Sequence, residues 1–170
     1  MKRLYEKNEL TFALFWIAVY CVVSVPIKGS FGDGSIKMLL ALSVIAAGML
    51  TFVKVLHLET KYGLVKWRGY AGDYLFFLPI LALTTGNLWY RVGTAYTGAA
   101  QVFAVFSMLL VGFIEELIFR DFLFRALLKR DPAPAAISIS AATFGIGHIV
   151  NLLAGQDGME TLIQVLFAAA

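Results

Sequence analysis

The chain has 170 residues, of which 60% are hydrophobic and 15% are charged, with a formal net charge of +3 and a mean hydropathy of +0.80. Soluble domains carry nearer a quarter of charged residues, so this composition excludes a soluble domain and indicates a multi-pass protein of the cell membrane. Basic loops on one side of a lipid bilayer explain the positive charge, and we expect no nucleic-acid partner. Since no hydrophilic stretch is long enough for a second domain, residues 1–170 are interpreted as a single membrane domain.

Hydrophobic runs divide the chain into predicted membrane-spanning helices separated by polar turns. Pro26 and the glycine-rich turn after it are expected to end the first span. The runs long enough to cross a bilayer cover residues 10–27, 35–58, 74–90, 99–128 and 135–153, and a shorter run covers 159–170. The pattern predicts an all-α polytopic transmembrane bundle of about five full spans plus the start of a sixth, and it indicates a chain truncated at its C-terminus.

The basic residues predict how the bundle is oriented. Ten Lys and Arg residues lie in the N-terminal tail and in the second and fourth loops, against three near the first and third loops, leaving out Arg120. Because basic residues favour cytoplasmic loops, the N-terminus is expected in the cytoplasm. The fourth span then runs inward and the fifth outward, so that Glu115 and His148 share a depth near or just inside the middle of the membrane.

Three ionisable side chains lie within six residues of the fourth span, after sixteen residues without charge, namely Glu115, Glu116 and Arg120. Each charge near the middle of a membrane helix costs roughly 2–3.5 kcal/mol unless it is paired, buried in protein or exposed to a wet cavity. Glu116 and Arg120 lie about 40° apart around an α-helix and are expected to pair. Glu115 points about 100° away from Glu116, which leaves it available as a base that faces another helix.

The fifth span supplies a set of partners for these charges. Phe144 and His148 share one helical face, and Asn151 lies about 60° away. Small residues such as Gly145 would let another helix approach closely. A histidine and an asparagine in an otherwise apolar span need polar partners, and the carboxylates of the preceding span are candidates.

A glutamate and a histidine in one hydrated pocket predict either of two chemistries. Glu115 and His148 could together deprotonate a water molecule, which requires no covalent nucleophile. They could instead bind a divalent metal and lower the pKa of its bound water. Two visible ligands are fewer than the three of a typical catalytic zinc site, so we expect no cofactor and keep the metal as the alternative. The same residues also have purely structural interpretations. The charges of the fourth span could mark a helix end near the headgroups, and His148 could be a polar residue whose hydrogen bonds are satisfied in a helix contact. Because both sets of residues occur in consecutive spans, a functional site is favoured.

The order Glu-Glu-x-x-x-Arg and then Phe-x-x-x-His in the next span resembles the CAAX prenyl protease and bacteriocin-processing family (CPBP, or Abi) of intramembrane glutamic endopeptidases. These proteins are similar to the eukaryotic type II enzyme that removes the last three residues from prenylated CAAX proteins. The resemblance covers about residues 62–170. It implies that Glu115 is the water-activating base and that His148 shares the water or stabilises the oxyanion.

The resemblance also implies roles for the neighbours of these two residues. Glu116 and Arg120 would belong to the first motif, and Phe144 to the second. The family carries a further His and Asn in later spans, which would lie beyond residue 170, and Asn151 is not that later asparagine.

The expected function is that of a membrane endopeptidase which hydrolyses a membrane-anchored peptide or protein. A prenylated CAAX substrate is implied by the resemblance alone. The alternatives are a non-catalytic immunity or scaffold protein, as in self-immunity to bacteriocins, and a proton or cation pathway. The pathway is less favoured because only two spans carry buried charges, and the sequence leaves the oligomeric state open.

Overall fold

The computed structural model describes residues 1–65, 69–79 and 96–169, and all the regular structure in these ranges is helical. The predicted all-α bundle is therefore confirmed. The helices are α1 (Lys2–Lys7), α2 (Glu9–Phe31), α3 (Ile36–Val55), a 3₁₀ segment (Ala71–Phe77), α4 (Gly98–Leu128), α5 (Ala133–Ala154) and α6 (Gly158–Ala169).

In the described part of the chain, α2, α3, α4 and α5 are long and apolar enough to cross a membrane, and α6 is a shorter apolar helix. Large hydrophobic side chains on these helices point outward, including Val22 (73% exposed) and Val44 (72% exposed). Such a surface is unfavourable in water and suits contact with lipid. The predicted span at residues 74–90 lies mostly outside the described residues, and its beginning overlaps the 3₁₀ segment.

The end of α2 differs from the prediction. Pro26 lies inside the helix, which continues to Phe31 and ends at Gly32, where φ is +74°. A proline removes one N–H donor and usually breaks a helix in water, but membrane helices tolerate it because neighbouring groups satisfy the freed carbonyl. The glycine-rich turn therefore ends the first span, and Pro26 does not.

Helix α4 changes its geometry where its charged residues begin. It is α-helical over Gly98–Glu115, π-helical over Glu116–Leu123, and α-helical again over Phe124–Leu128. The Phe119 carbonyl accepts a hydrogen bond from the Phe124 N–H, five residues later, and another from the Ser140 hydroxyl at 2.9 Å. Short π segments inside α-helices occur frequently at functional sites.

Aromatic packing joins α2, α3 and α4 near the start of α2. Phe12 is fully buried, stacks on Phe52 at a centroid distance of 4.5 Å and meets Phe122 edge to face at 5.1 Å. Tyr62, in the turn after α3, contacts Phe122 at 5.0 Å and donates a hydrogen bond to the Tyr5 hydroxyl at 3.0 Å. These contacts fix α2 against the π-helical part of α4.

A charged cluster lies beside this aromatic packing. Both carboxylate oxygens of Glu9 lie 2.8 Å from Lys61 Nζ, and Glu9 Oε1 also lies 2.8 Å from Lys129 Nζ. We call these three residues the Glu9 cluster. It ties the start of α2 to the turns that follow α3 and α4.

Helices α5 and α6 approach each other closely at Gly145. A Cβ atom built at this position would lie 2.7 Å from Ala169 Cβ and 2.8 Å from the Val165 carbonyl oxygen. Only glycine fits without movement of the α6 backbone. The predicted close approach of a helix to Gly145 is confirmed, and that helix is α6.

Candidate active site

A cavity of about 170 Å³ lies between α2, α4, α5 and α6. This volume accommodates several water molecules, since each occupies roughly 30 Å³ in the liquid. The cavity extends along α2 to the turn before α3. Its polar lining residues are Tyr20, Ser24, Lys28, Asp33, Glu115, His148, Asn151 and Gln164.

Glu115 is the last residue of the first α-helical part of α4, and its half-buried side chain lines the cavity. Its Oε1 atom accepts a hydrogen bond from the Tyr20 hydroxyl at 3.0 Å. The two residues are 95 positions apart in the sequence, and their contact joins α2 to α4. Glu115 is thus the acidic residue of the first motif that faces the cavity.

Glu116 and Arg120 lie on a different face of α4. Arg120 Nε is 3.2 Å from Glu116 Oε2, and the two side chains are 72% and 61% exposed. Neither residue lines the cavity. The predicted pairing is confirmed, as is the divergence of the two adjacent glutamates.

His148 lines the cavity from α5, at the point where that helix passes from α-helical to 3₁₀ geometry. Its Nδ1 atom lies 3.0 Å from the Phe144 carbonyl oxygen. Because a carbonyl oxygen only accepts hydrogen bonds, Nδ1 is the donor in this contact. The Phe144 ring contacts the His148 ring at 4.9 Å and the Phe119 ring at 5.0 Å, so the predicted shared face of Phe144 and His148 is confirmed.

Asn151 completes the α5 side of the cavity together with α6. Its Nδ2 atom donates to Gln164 Oε1 at 3.0 Å, and the Gln156 side chain donates to the same oxygen. The polar partner of Asn151 is thus an amide on α6 and not a carboxylate on α4.

Lys28 and Asp33 bring charge to the end of the cavity near the turn between α2 and α3. Lys28 Nζ and Asp33 Oδ2 are 3.7 Å apart, which is a long ion pair. The Asp33 Oδ1 atom is buried, and among the described residues it has no hydrogen-bond partner. A buried carboxylate oxygen in this position favours water in the cavity, because leaving it unsatisfied is costly.

Sequence reasoning missed five of the polar residues in this cavity, namely Tyr20, Ser24, Lys28, Asp33 and Gln164. Tyr20 had a detectable signal, because a tyrosine hydroxyl in the middle of an apolar span needs a hydrogen-bond partner. The identity of that partner, 95 positions away, was not detectable from one sequence.

The described residues contain no group of three or more His, Cys, Asp and Glu side chains close enough to hold a metal ion. Glu115 and His148 therefore stay the two candidate ligands for the metal alternative, fewer than catalytic zinc sites use. The expectation that no cofactor is needed stays a prediction.

A family model described as type II CAAX prenyl endopeptidase Rce1-like matches residues 97–170 of the chain. No curated protein and no solved structure matches. The matched segment contains both motifs and confirms the resemblance to this protease family. It begins at residue 97, so the earlier part of the predicted core, from residue 62, stays a prediction.

Proposed function

From the match of residues 97–170 to type II CAAX prenyl endopeptidases, we propose that the protein is an intramembrane endopeptidase of the cell membrane. Glu115 and His148 activate a water molecule that hydrolyses one peptide bond of a membrane-anchored substrate. The observation that carries the proposal is that these two side chains, from different helices, line the same cavity.

Each residue has a defined role in the proposed reaction. Glu115 takes a proton from water as the water oxygen bonds to the carbonyl carbon, and His148 shares the water or stabilises the oxyanion. When the tetrahedral intermediate collapses, the C–N bond breaks and Glu115 returns the proton to the leaving amine. One water molecule is consumed, and one carboxylic acid and one amine are formed.

The proposed substrate is a prenylated CAAX peptide or protein, cleaved near its C-terminus. A prenyl chain holds a peptide at the bilayer, and the cavity lies within a bundle whose outer surface is apolar. The substrate therefore reaches Glu115 from the membrane and not from bulk solution.

An internally quenched, farnesylated CAAX peptide tests the proposal when it is incubated with the protein in lipid vesicles. The wild-type protein is expected to cleave the peptide, and Glu115→Gln and His148→Ala each to lower kcat at least about 100-fold. Glu6→Gln is the matched control, because Glu6 is exposed and pairs with Lys2 on α1, away from the cavity. Cleavage by Glu115→Gln at the wild-type rate would refute the assigned chemistry.

Two alternatives have distinct outcomes in the same experiment. Loss of cleavage on addition of a chelator, restored by a divalent metal, favours metal-activated water at Glu115 and His148. Absence of cleavage combined with bacteriocin protection that survives Glu115→Gln favours a non-catalytic immunity or scaffold protein.

A further inference from the structure

Tyr20 is the side chain that connects α2 to the proposed base. Its hydroxyl lies 3.0 Å from Glu115 Oε1, and both residues line the cavity. Tyr20 lies outside residues 97–170, the segment that matches the protease family. The first membrane helix therefore contributes a polar contact to the site that the family match does not cover.

The chemistry of this contact is directional. A phenol hydroxyl donates one hydrogen bond, and an ionised carboxylate only accepts. The contact therefore engages one carboxylate oxygen, Oε1, and restricts the rotation of the carboxylate. In the proposed reaction the other oxygen, Oε2, takes the proton from water.

The backbone around Tyr20 is held in place by its neighbours. The Ser24 hydroxyl donates to the Tyr20 carbonyl at 2.6 Å, and Phe12 packs against Phe122 of α4 two turns earlier. A side chain on a fixed helix restricts the rotation of the group that it binds, which is how supporting residues position a base.

We infer that Tyr20 is a positioning residue, whose hydroxyl holds the Glu115 carboxylate in its orientation toward the cavity. This inference rests on the proposed function. It assigns a specific part in the reaction to α2, the first membrane-spanning helix.

Other titratable or charged groups also face the cavity. They are Cys21 and Lys28 on α2, Asp33 in the turn after α2, and His148 on α5. None of these four donates a hydrogen bond to Glu115 in the described part of the chain, where Tyr20 does. The effect of removing the Tyr20 hydroxyl can therefore be distinguished from effects of changing these four groups.

The test compares wild type, Tyr20→Phe, Glu115→Gln and Tyr62→Phe in lipid vesicles with the farnesylated peptide. Tyr20→Phe removes one hydroxyl and is expected to lower kcat about 10- to 100-fold with KM changed less than about threefold. This split is expected because the substrate still binds while the base is no longer held in position. Tyr62→Phe is the matched control: it also removes a buried tyrosine hydroxyl that donates at 3.0 Å, but to Tyr5 and not in the cavity lining.

A second substitution keeps the test decisive if Tyr20→Phe unfolds. Replacing Tyr20 with 4-fluorophenylalanine keeps the ring and fills the place of the hydroxyl but cannot donate a hydrogen bond, so kcat is expected to fall as in Tyr20→Phe, whereas 3-fluorotyrosine keeps the donor and is expected to retain cleavage. A wild-type kcat in folded Tyr20→Phe or in the 4-fluorophenylalanine protein overturns the inference. If Glu115→Gln cleaves as well as wild type, the proposed function itself fails, whereas an inactive Glu115→Gln with a fully active Tyr20→Phe removes only the role of Tyr20.

Discussion

Two glutamates within the bundle have opposite surroundings. Glu9 is held by two ammonium groups, Lys61 and Lys129, at distances of 2.8 Å. Glu115 has a neutral hydroxyl partner, Tyr20, and lines a cavity. Both carboxylates are removed from bulk water, but in the described residues only Glu9 is directly compensated by positive charge.

This difference separates a structural carboxylate from a candidate base. A carboxylate that accepts hydrogen bonds from two lysine side chains is stabilised in its charged form and is therefore a poor proton acceptor. A carboxylate that has only a neutral donor on one oxygen and a cavity beside it is costly to bury. Proteins retain such an unfavourable arrangement where function requires it. Charge compensation therefore distinguishes the two regions better than burial does.

The largest expected effect is a crossed pair of substitutions. Glu115→Gln is expected to lower kcat at least about 100-fold while the thermal midpoint is unchanged or higher, since a buried charge is removed. Glu9→Gln is expected to keep kcat within about threefold and to cost about 1–3 kcal/mol of unfolding free energy, because the negative charge that strengthens its three hydrogen bonds with Lys61 and Lys129 is removed. Peptide cleavage and thermal unfolding of both variants in the same detergent measure the two effects. Equal losses of stability from the two substitutions would remove the distinction between the regions.

The next effect concerns how the cavity is supported. Within residues 1–65, 69–79 and 96–169, α6 has no ion pair comparable to those of the Glu9 cluster at α2. Gly145→Ala would place a Cβ 2.8 Å from the Val165 carbonyl oxygen and is expected to cost about 1–3 kcal/mol. Displacement of α6 would also move Gln164 in the cavity wall, so cleavage should fall as well. Gly112→Ala is the control, because a Cβ there meets no heavy atom within 4 Å. Thermal unfolding decides the matter, and a Gly145→Ala protein as stable as Gly112→Ala would contradict the close helix contact.

The sequence predicted those parts of the molecule that depend on local pattern. Apolar runs located α2 to α5 closely, and spacing on a helix predicted the Glu116–Arg120 pair and the shared face of Phe144 and His148. The π-helical segment was not predicted, because eight residues of mixed character show no periodicity that separates a π-helix from an α-helix. The contacts of Tyr20 with Glu115, and of Asn151 with Gln164, depend on how helices meet in space, which a single sequence does not record.

Hydration of the cavity gives a third test of the difference between the surroundings of Glu115 and the Glu9 cluster. Cys21 is the single cysteine of the chain and lines the cavity, so a small water-soluble methanethiosulfonate reagent should reach it. The reference is a Cys21→Ser protein that also carries Ala13→Cys, which places the thiol on the same helix at a fully buried position in the aromatic core. We expect Cys21 to react at least about tenfold faster than the thiol at position 13, and modification to slow peptide cleavage. Equal reaction rates would indicate a dry cavity and would weaken the case for activated water.

The smallest expected effect lies at the Glu9 cluster and depends on pH. The hydrogen bond to Glu9 raises the pKa of Lys129, which lies in the turn after α4. A lysine whose pKa is higher in the folded state adds stability that is fully present below the unfolded value of about 10.4 and is lost as pH rises through the folded value. Since the Lys129 side chain is 60% exposed, solvent screens the pair, and its contribution is expected to be only a few tenths of a kcal/mol.

Thermal midpoints of wild type and Lys129→Met between pH 8 and pH 11.5 measure this contribution. Wild type should be slightly more stable at pH 8, and the difference should shrink as pH rises above about 10.4. Lys2→Met is the control, because Lys2 is 67% exposed and lies 3.8 Å from Glu6, so its effect on stability should be smaller still at every pH. A difference between wild type and Lys129→Met that stays constant to the highest pH would mean that Lys129 stabilises the fold through its aliphatic chain and not through its charge.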